Sequence, residues 1–210
     1  MKPIRLILPV ALAMVAGCSV ADTRTLPMSW TPPSGQTPGP IDGTVAQLQV
    51  TPDGAAMHLA SKDLTPGNAV TIWFVAVQNP ELCEKNPCSP FEAMGKPEMN
   101  TVAVNGGGTV VAEDGTVEVS AYLPVGMAET NLFETEFTEP ETSEYHLVIH
   151  DHGPLIPELA ADMLSSFRGG CTLESVPPHY PESAKSDGAG GPNTCVSRQV
   201  ALFVPPQLAN

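Results

Sequence analysis

Basic side chains are the scarcest functional groups in this 210-residue sequence. Lys and Arg number 9 against 23 Asp and Glu, a formal charge of −14. Nucleic acids and anionic lipid surfaces both call for a basic face, so neither is an expected partner. Aromatic residues amount to only 5%, too few for a row of stacking platforms. Long hydrophobic runs are missing as well. The longest, Leu6 to Val15, is about ten residues, where a bilayer-spanning helix takes roughly 20. Familiar catalytic templates are also absent: there is no Gly-x-Ser-x-Gly elbow, no phosphate-cradling Gly-Lys-Ser/Thr loop and no His-Glu-x-x-His pair. What is abundant is Pro and Gly, 23 and 18 residues. That composition favours many short strands and turns over helices.

The apolar run follows Lys2 and Arg5 and ends at Val15-Ala16-Gly17-Cys18, the layout of a signal peptide. Val-Ala-Gly-Cys resembles the lipobox of bacterial lipoproteins. The resemblance implies cleavage before Cys18 and acylation of its thiol, and Ser19 in place of Asp implies the outer membrane of the cell envelope. Two or more acyl chains anchor durably, since each buried methylene contributes about 0.8 kcal/mol. The expected organisation is a signal peptide at 1–17, lipidated Cys18 with a Pro/Thr-rich tether at 18–40, a folded domain at 41–206 and a short tail at 207–210. Loss of Lys2 and Arg5 leaves 7 basic against 23 acidic residues, a net of about −16. The acidic groups are dispersed, as on a solvated surface.

With Cys18 committed to lipid, Cys83, Cys88, Cys171 and Cys195 remain, an even count in an oxidising compartment and hence two disulfides. Three pairings are possible. The local one is preferred, Cys83 with Cys88 and Cys171 with Cys195, closing loops worth roughly 2 and 3.5 kcal/mol. Cys-x4-Cys without a second close pair is poor zinc-finger spacing.

From Gly43 the pattern has period two. Ala46, Leu48 and Val50 alternate with Gln47 and Gln49; Met57 and Leu59 face inward with His58 opposite; Val117, Val119, Ala121 and Leu123 form another inward face. Val70 to Val77 is apolar on both faces, as a central strand is, with Trp73 as its main packing residue. Thr65-Pro66-Gly67-Asn68 fits a type II turn, and Asn105-Gly106-Gly107-Gly108 and Asp114-Gly115 read as hairpin turns. Residues 157–167 suit one short helix, and Val200, Leu202 and Val204 make the last strand. About eight short strands predict an all-β chain, an antiparallel β-sandwich, immunoglobulin-like in the broad sense, with long disulfide-stapled loops. A small barrel is the alternative.

Chemistry concentrates in Glu144-Tyr145-His146-Leu147-Val148-Ile149-His150-Asp151-His152. On a strand Tyr145, Leu147 and Ile149 point one way, and Glu144, His146, Val148, His150 and His152 the other. His150 and His152 lie about 6.6 Å apart along it, close enough to converge on copper or zinc. His146 is roughly 13 Å from His150, so a further ligand would come from His58, His179 or Asp151. The plainer reading is a polar strand end with solvated imidazoles. Leu64-x-Pro66-Gly67-x-x-x-Thr71-x-Trp73, Asn79-Pro80-x-x-Cys83 with Cys88, Glu144-x-His146 and His152-Gly153-Pro154 together resemble a group of uncharacterised exported bacterial β-proteins, over roughly residues 54–171. That resemblance implies a fold and no activity. The expectation is therefore a non-enzymatic envelope lipoprotein, reaching the membrane through its lipid and meeting an envelope protein or a glycan. Copper or zinc binding at His150 and His152 is the alternative.

Overall fold

Ten strands in two antiparallel sheets make up the extended structure of residues 22–209, the part described by the computed structural model. In chain order they are β1 (Asp22–Leu26), β2 (Ser29–Trp30), β3 (Gly39–Pro40), β4 (Val45–Thr51), β5 (Gly54–Ser61), β6 (Asn68–Val77), β7 (Val102–Val110), β8 (Val117–Pro124), β9 (Glu144–Pro154) and β10 (Val196–Phe203). One sheet has the order β1-β4-β5-β8, the other β3-β2-β10-β9-β6-β7. Among the described residues helix is confined to α1 (Pro90–Gly95), α2 (Ala160–Met163), α3 (Glu182–Ser186) and single 3-10 turns. No helix among the described residues is long and apolar enough to cross a membrane. Two separate sheets make this a β-sandwich and not a barrel.

The sheets meet over one core. Ala46, Leu48, Met57, Leu59 and Leu123 come from the four-stranded sheet, and Val70, Ile72, Phe74, Tyr145, Leu147 and Ile149 from the six-stranded one. These are the inward positions of the period-two pattern. A second core lies on the far side of the six-stranded sheet. Trp73, Val75, Val77 and Ala103 are covered there by Met94, Met99, Leu132, Phe167, Val176 and Ala184. The covering residues come from the three long excursions between strands, 78–101, 125–143 and 155–195. The described residues thus stack in three layers, the four-stranded sheet, the six-stranded sheet and the covering excursions.

The preferred disulfide pairing is present: Cys83 is bonded to Cys88 and Cys171 to Cys195. Each pins an excursion over the six-stranded sheet. The expected turn at Thr65 to Asn68 also forms, with Asn68 N donating to Thr65 O at 3.2 Å and Gly67 at φ +81°.

Three expectations are corrected. The stretch 22–40 is not a free tether. β1 pairs with β4 along its whole length, Met28 is fully buried, and Thr31 N donates to Arg198 O at 3.0 Å. Polar, Pro-rich composition hid edge strands whose partners lie far along the chain. The glycines at 106–108 are not a hairpin but the middle of β7, paired across to β6. A Cβ at Gly106 would lie 2.6 Å from Met57 Cε, and one at Gly108 2.1 Å from the backbone oxygen of Leu164. Glycine is needed there because the other sheet and the 155–195 excursion approach the strand from opposite sides. Asp114-Gly115 is a turn, with Asp114 Oδ1 accepting from Thr116 N at 3.1 Å, but it carries the chain from one sheet to the other. Cys18 and the expected lipobox lie outside the described residues.

Candidate functional site

β9 places Glu144, His146, Val148, His150 and His152 on the outer face of the six-stranded sheet, away from Tyr145, Leu147 and Ile149, as the alternation requires. The excursions cover that face, so the imidazoles are not solvated. His146, His150 and His152 are all buried. The polar residues separate into two clusters at the two ends of the strand.

At the C-terminal end, His152 is held from both sides. Its Nδ1 is 2.8 Å from Gly169 O, an acceptor, so Nδ1 carries the proton. Its Nε2 lies 2.8 Å from Thr71 Oγ1 and must then accept from that hydroxyl. Trp73 Nε1 donates to the same Thr71 oxygen at 3.0 Å. The result is a continuous hydrogen-bond chain from Trp73 through Thr71 and His152 to Gly169, with every partner satisfied. His150, opposite Ser197 on β10 and Thr71 on β6, stacks on Phe167 at a centroid distance of 4.4 Å and meets His152 edge-on at 4.9 Å. Burial pushes the His150 imidazole well below its ordinary range, and the neighbouring His152 adds to the shift. Burial also lowers His152, against the opposing pull of its Gly169 bond. Both rings are therefore neutral at pH 7.

The Cys171–Cys195 disulfide closes this cluster. Cys171 Sγ lies 3.3 Å from His152 Nδ1, and one atom each from His150, His152, Cys171 and Cys195 can be chosen so that all four lie within 4.8 Å of one another. The sequence had not joined these cysteines to the histidines, because a disulfide assignment removed them from consideration as ligands. The useful signal was Thr71, the lone hydroxyl in the apolar run of β6, two residues before Trp73.

At the other end of β9, Glu144 Oε1 accepts from Cys88 N at 2.8 Å and from His146 Nε2 at 2.6 Å. Glu144 is 0% exposed, and its Oε2 has no hydrogen-bond partner among the described residues. His146 is thus committed to Glu144 and not to the His150–His152 pair. His58 lies on the other sheet, with Nδ1 3.1 Å from Ser120 Oγ. Asp151 is bound to Arg198 Nε at 3.0 Å and Asn68 Nδ2 at 2.9 Å. His179 packs its ring against Phe91 and Tyr180. Of the expected ligand set, only His150 and His152 come together.

The opposite surface of the molecule differs in kind. Thr23, Thr25, Gln47, Gln49, Glu118, Ser120 and Tyr122 form the outer face of the four-stranded sheet, and all seven are exposed. His58, half-buried, lies among them. Glu118 is the only carboxylate among these residues, 3.9 Å from His58 Nε2. A groove of about 480 Å³, lined in part by Ser61, Lys62, Thr109 and Thr116, borders the face at Glu118. Comparison with known proteins finds no matching family model, curated protein or solved structure.

Proposed function

We propose that this chain is a non-enzymatic lipoprotein of the cell envelope, held at the outer membrane through Cys18, whose sandwich binds an uncharged glycan on the outer face of its four-stranded sheet. The observation that carries the reading is the chemistry of that face. In a chain of net charge −14, the outer sheet surface presents hydroxyls from Thr23, Thr25 and Ser120, amides from Gln47 and Gln49, and one exposed ring, Tyr122. Amide and hydroxyl groups both donate and accept, as sugar hydroxyls do, and an aromatic face suits the C–H side of a pyranose. A protein partner of the usual kind would meet a more apolar patch centre. The groove adjoins that surface at one end and mixes polar side chains, Lys62, Thr109 and Thr116, with apolar ones, Val110, Ala112 and Val117.

Co-sedimentation with insoluble chitin, an uncharged polysaccharide, tests the reading, with peptidoglycan sacculi as the peptide-bearing comparison. Binding to the uncharged polymer is expected, weakened about tenfold, or 1.4 kcal/mol, by Tyr122→Ala or by the pair Gln47→Ala/Gln49→Ala. An absence of binding to any uncharged glycan across an array, or binding indifferent to these substitutions, would overturn it. The alternative of copper or zinc on His150 and His152 has no support in the oxidised protein. There the Nε2 lone pair of His152 accepts from Thr71, and both nearby sulfurs are in a disulfide.

A further inference from the structure

The cluster at the C-terminal end of β9 changes character if one bond is broken. His150, His152, Cys171 and Cys195 are buried, and the four candidate ligand atoms lie within 4.8 Å of one another. Only the Cys171–Cys195 bond withholds two of the four. The ligand atoms of a tetrahedral zinc site stand roughly 3.3–3.8 Å apart, inside that envelope, since Zn–S and Zn–N bonds are about 2.3 and 2.0 Å. We propose that reduction of the Cys171–Cys195 disulfide converts this cluster into a Cys2His2 zinc site, and that re-oxidation expels the metal.

The chemistry balances with a dithiol as reductant. Two electrons and two protons pass from the dithiol, which becomes a disulfide, to Cys171 and Cys195, which become thiols. Zn²⁺ then displaces both thiol protons and binds two thiolates and two neutral imidazoles. In reverse, a disulfide-class oxidant takes the two electrons back, the Cys171–Cys195 bond re-forms and Zn²⁺ leaves.

Three features of the molecule favour zinc in that place. Two thiolates balance the 2+ charge, so the centre is neutral overall, which a buried position demands. Cuprous ion in the same ligands would leave a buried negative charge. Burial already keeps both imidazoles unprotonated, so neither has to lose a proton to bind. A second shell is also in place. With Nδ1 of His152 on the metal, its proton moves to Nε2, the Thr71 hydroxyl proton turns away, and Nε2 donates to Thr71 Oγ1, which gives the zinc-bound histidine an outer hydrogen-bond partner. The Cys83–Cys88 disulfide lies outside the four-atom cluster, so it serves as an internal control.

The experiment is a cobalt and zinc titration of the full-length chain carrying Cys18→Ser, in oxidised form and after reduction with a phosphine that is removed before metal is added. The reduced protein is expected to take up one Co²⁺ with the visible bands of a tetrahedral site and a thiolate-to-cobalt charge-transfer band. One equivalent of Zn²⁺ should displace it, and the oxidised protein should bind neither. Cys83→Ser/Cys88→Ser should leave the titration unchanged, while His150→Ala/His152→Ala should weaken it by more than about 100-fold. Comparing the two redox forms needs no substitution, so a variant that fails to fold does not spoil the test. The proposal is overturned if the reduced protein shows no tetrahedral cobalt spectrum. Equal binding by the oxidised form, binding that survives loss of both histidines, or a reduced sandwich that unfolds and is not restored by zinc would overturn it as well. Glycan binding on the opposite sheet is read separately, so either proposal can fail alone.

Discussion

The two sheets are built from the same alternation and differ in what covers them. In the four-stranded sheet the inward residues Leu48, Met57 and Leu59 are buried and the outward Gln47 and Gln49 are exposed. In the six-stranded sheet β6 is buried at every position, because Val70, Ile72 and Phe74 face one core and Trp73, Val75 and Val77 the other. Both disulfides and all three helices belong to the cover over the six-stranded sheet. A polar group on that sheet is cut off from water, and Thr71, His152 and Glu144 Oε1 find protein partners while Glu144 Oε2 has none among the described residues. One on the bare sheet can keep water until something replaces it. Covered residues are therefore committed to structure unless a covalent change frees them, and bare ones are available for contact.

The sharpest separation comes from two aromatic residues on the outer faces. Trp73 is 3% exposed, packs edge-on against Phe167 at 5.4 Å and donates to Thr71. Trp73→Ala should cost about 3–5 kcal/mol in urea unfolding, from lost packing and the cavity left behind. Next come the staples. Replacing both cysteines by serine should cost roughly 3.5 kcal/mol for Cys171–Cys195 and 2 kcal/mol for Cys83–Cys88. Hydrogen exchange should then quicken in the excursions and the outer cluster while amides of β4 and β5 stay protected. Loss of protection spread evenly over both sheets would break the distinction between them.

The buried imidazoles add a pH dependence. Their folded pKa values are depressed relative to the unfolded chain, mainly by burial. Below the unfolded value of about 6.5 the unfolded state binds more protons than the folded one, so stability falls as the pH falls. Above it both states are neutral at these groups and their contribution is flat. The urea midpoint should be nearly constant between about pH 7 and 8 and drop below about 6.5. His150→Gln should make that drop shallower, whatever it does to the midpoint at neutral pH. A drop of unchanged steepness in the variant would mean that His150 does not titrate as described.

The difference between the sheets also decides how much of the molecule could be read in advance. β4, β5 and β8 are legible because water touches one face, and alternation records it. β6 is legible as doubly covered because both of its faces are apolar. The outer face of β9 misleads: glutamate and histidines signal solvent, and their partners arrive from Cys88, Gly169 and Cys171, beyond the reach of any local pattern. Gly106 and Gly108 mislead for a related reason. They answer crowding from Met57 and Leu164, and only the folded chain shows that crowding. Residues 22–40 look like linker because two-residue strands such as β2 and β3 carry too little pattern to register. Half of the His/Cys cluster is visible in the sequence as His150 and His152. The other half is visible as cysteines, and what joins them is the path of the 155–195 excursion.

The smallest expected change in stability carries the most weight for function. Tyr122 is 55% exposed, and its hydroxyl donates to Asp53 O at 2.9 Å on the surface. Water can take over that bond, so its net worth is about 0.5–1 kcal/mol. The hydroxyl also lies close to Gly54, where a Cβ would come within 2.7 Å of Tyr122 Oη, so a little cover is lost with it. Tyr122→Ala should therefore shift stability by no more than about 1 kcal/mol, several-fold less than Trp73→Ala. Loss of glycan binding in a variant that unfolds almost like the parent would place recognition on the bare sheet, free of any structural explanation. A cost near that of Trp73→Ala would mean that Tyr122 belongs to a packed layer after all, and the contrast between the two sheets would fail at its most exposed aromatic.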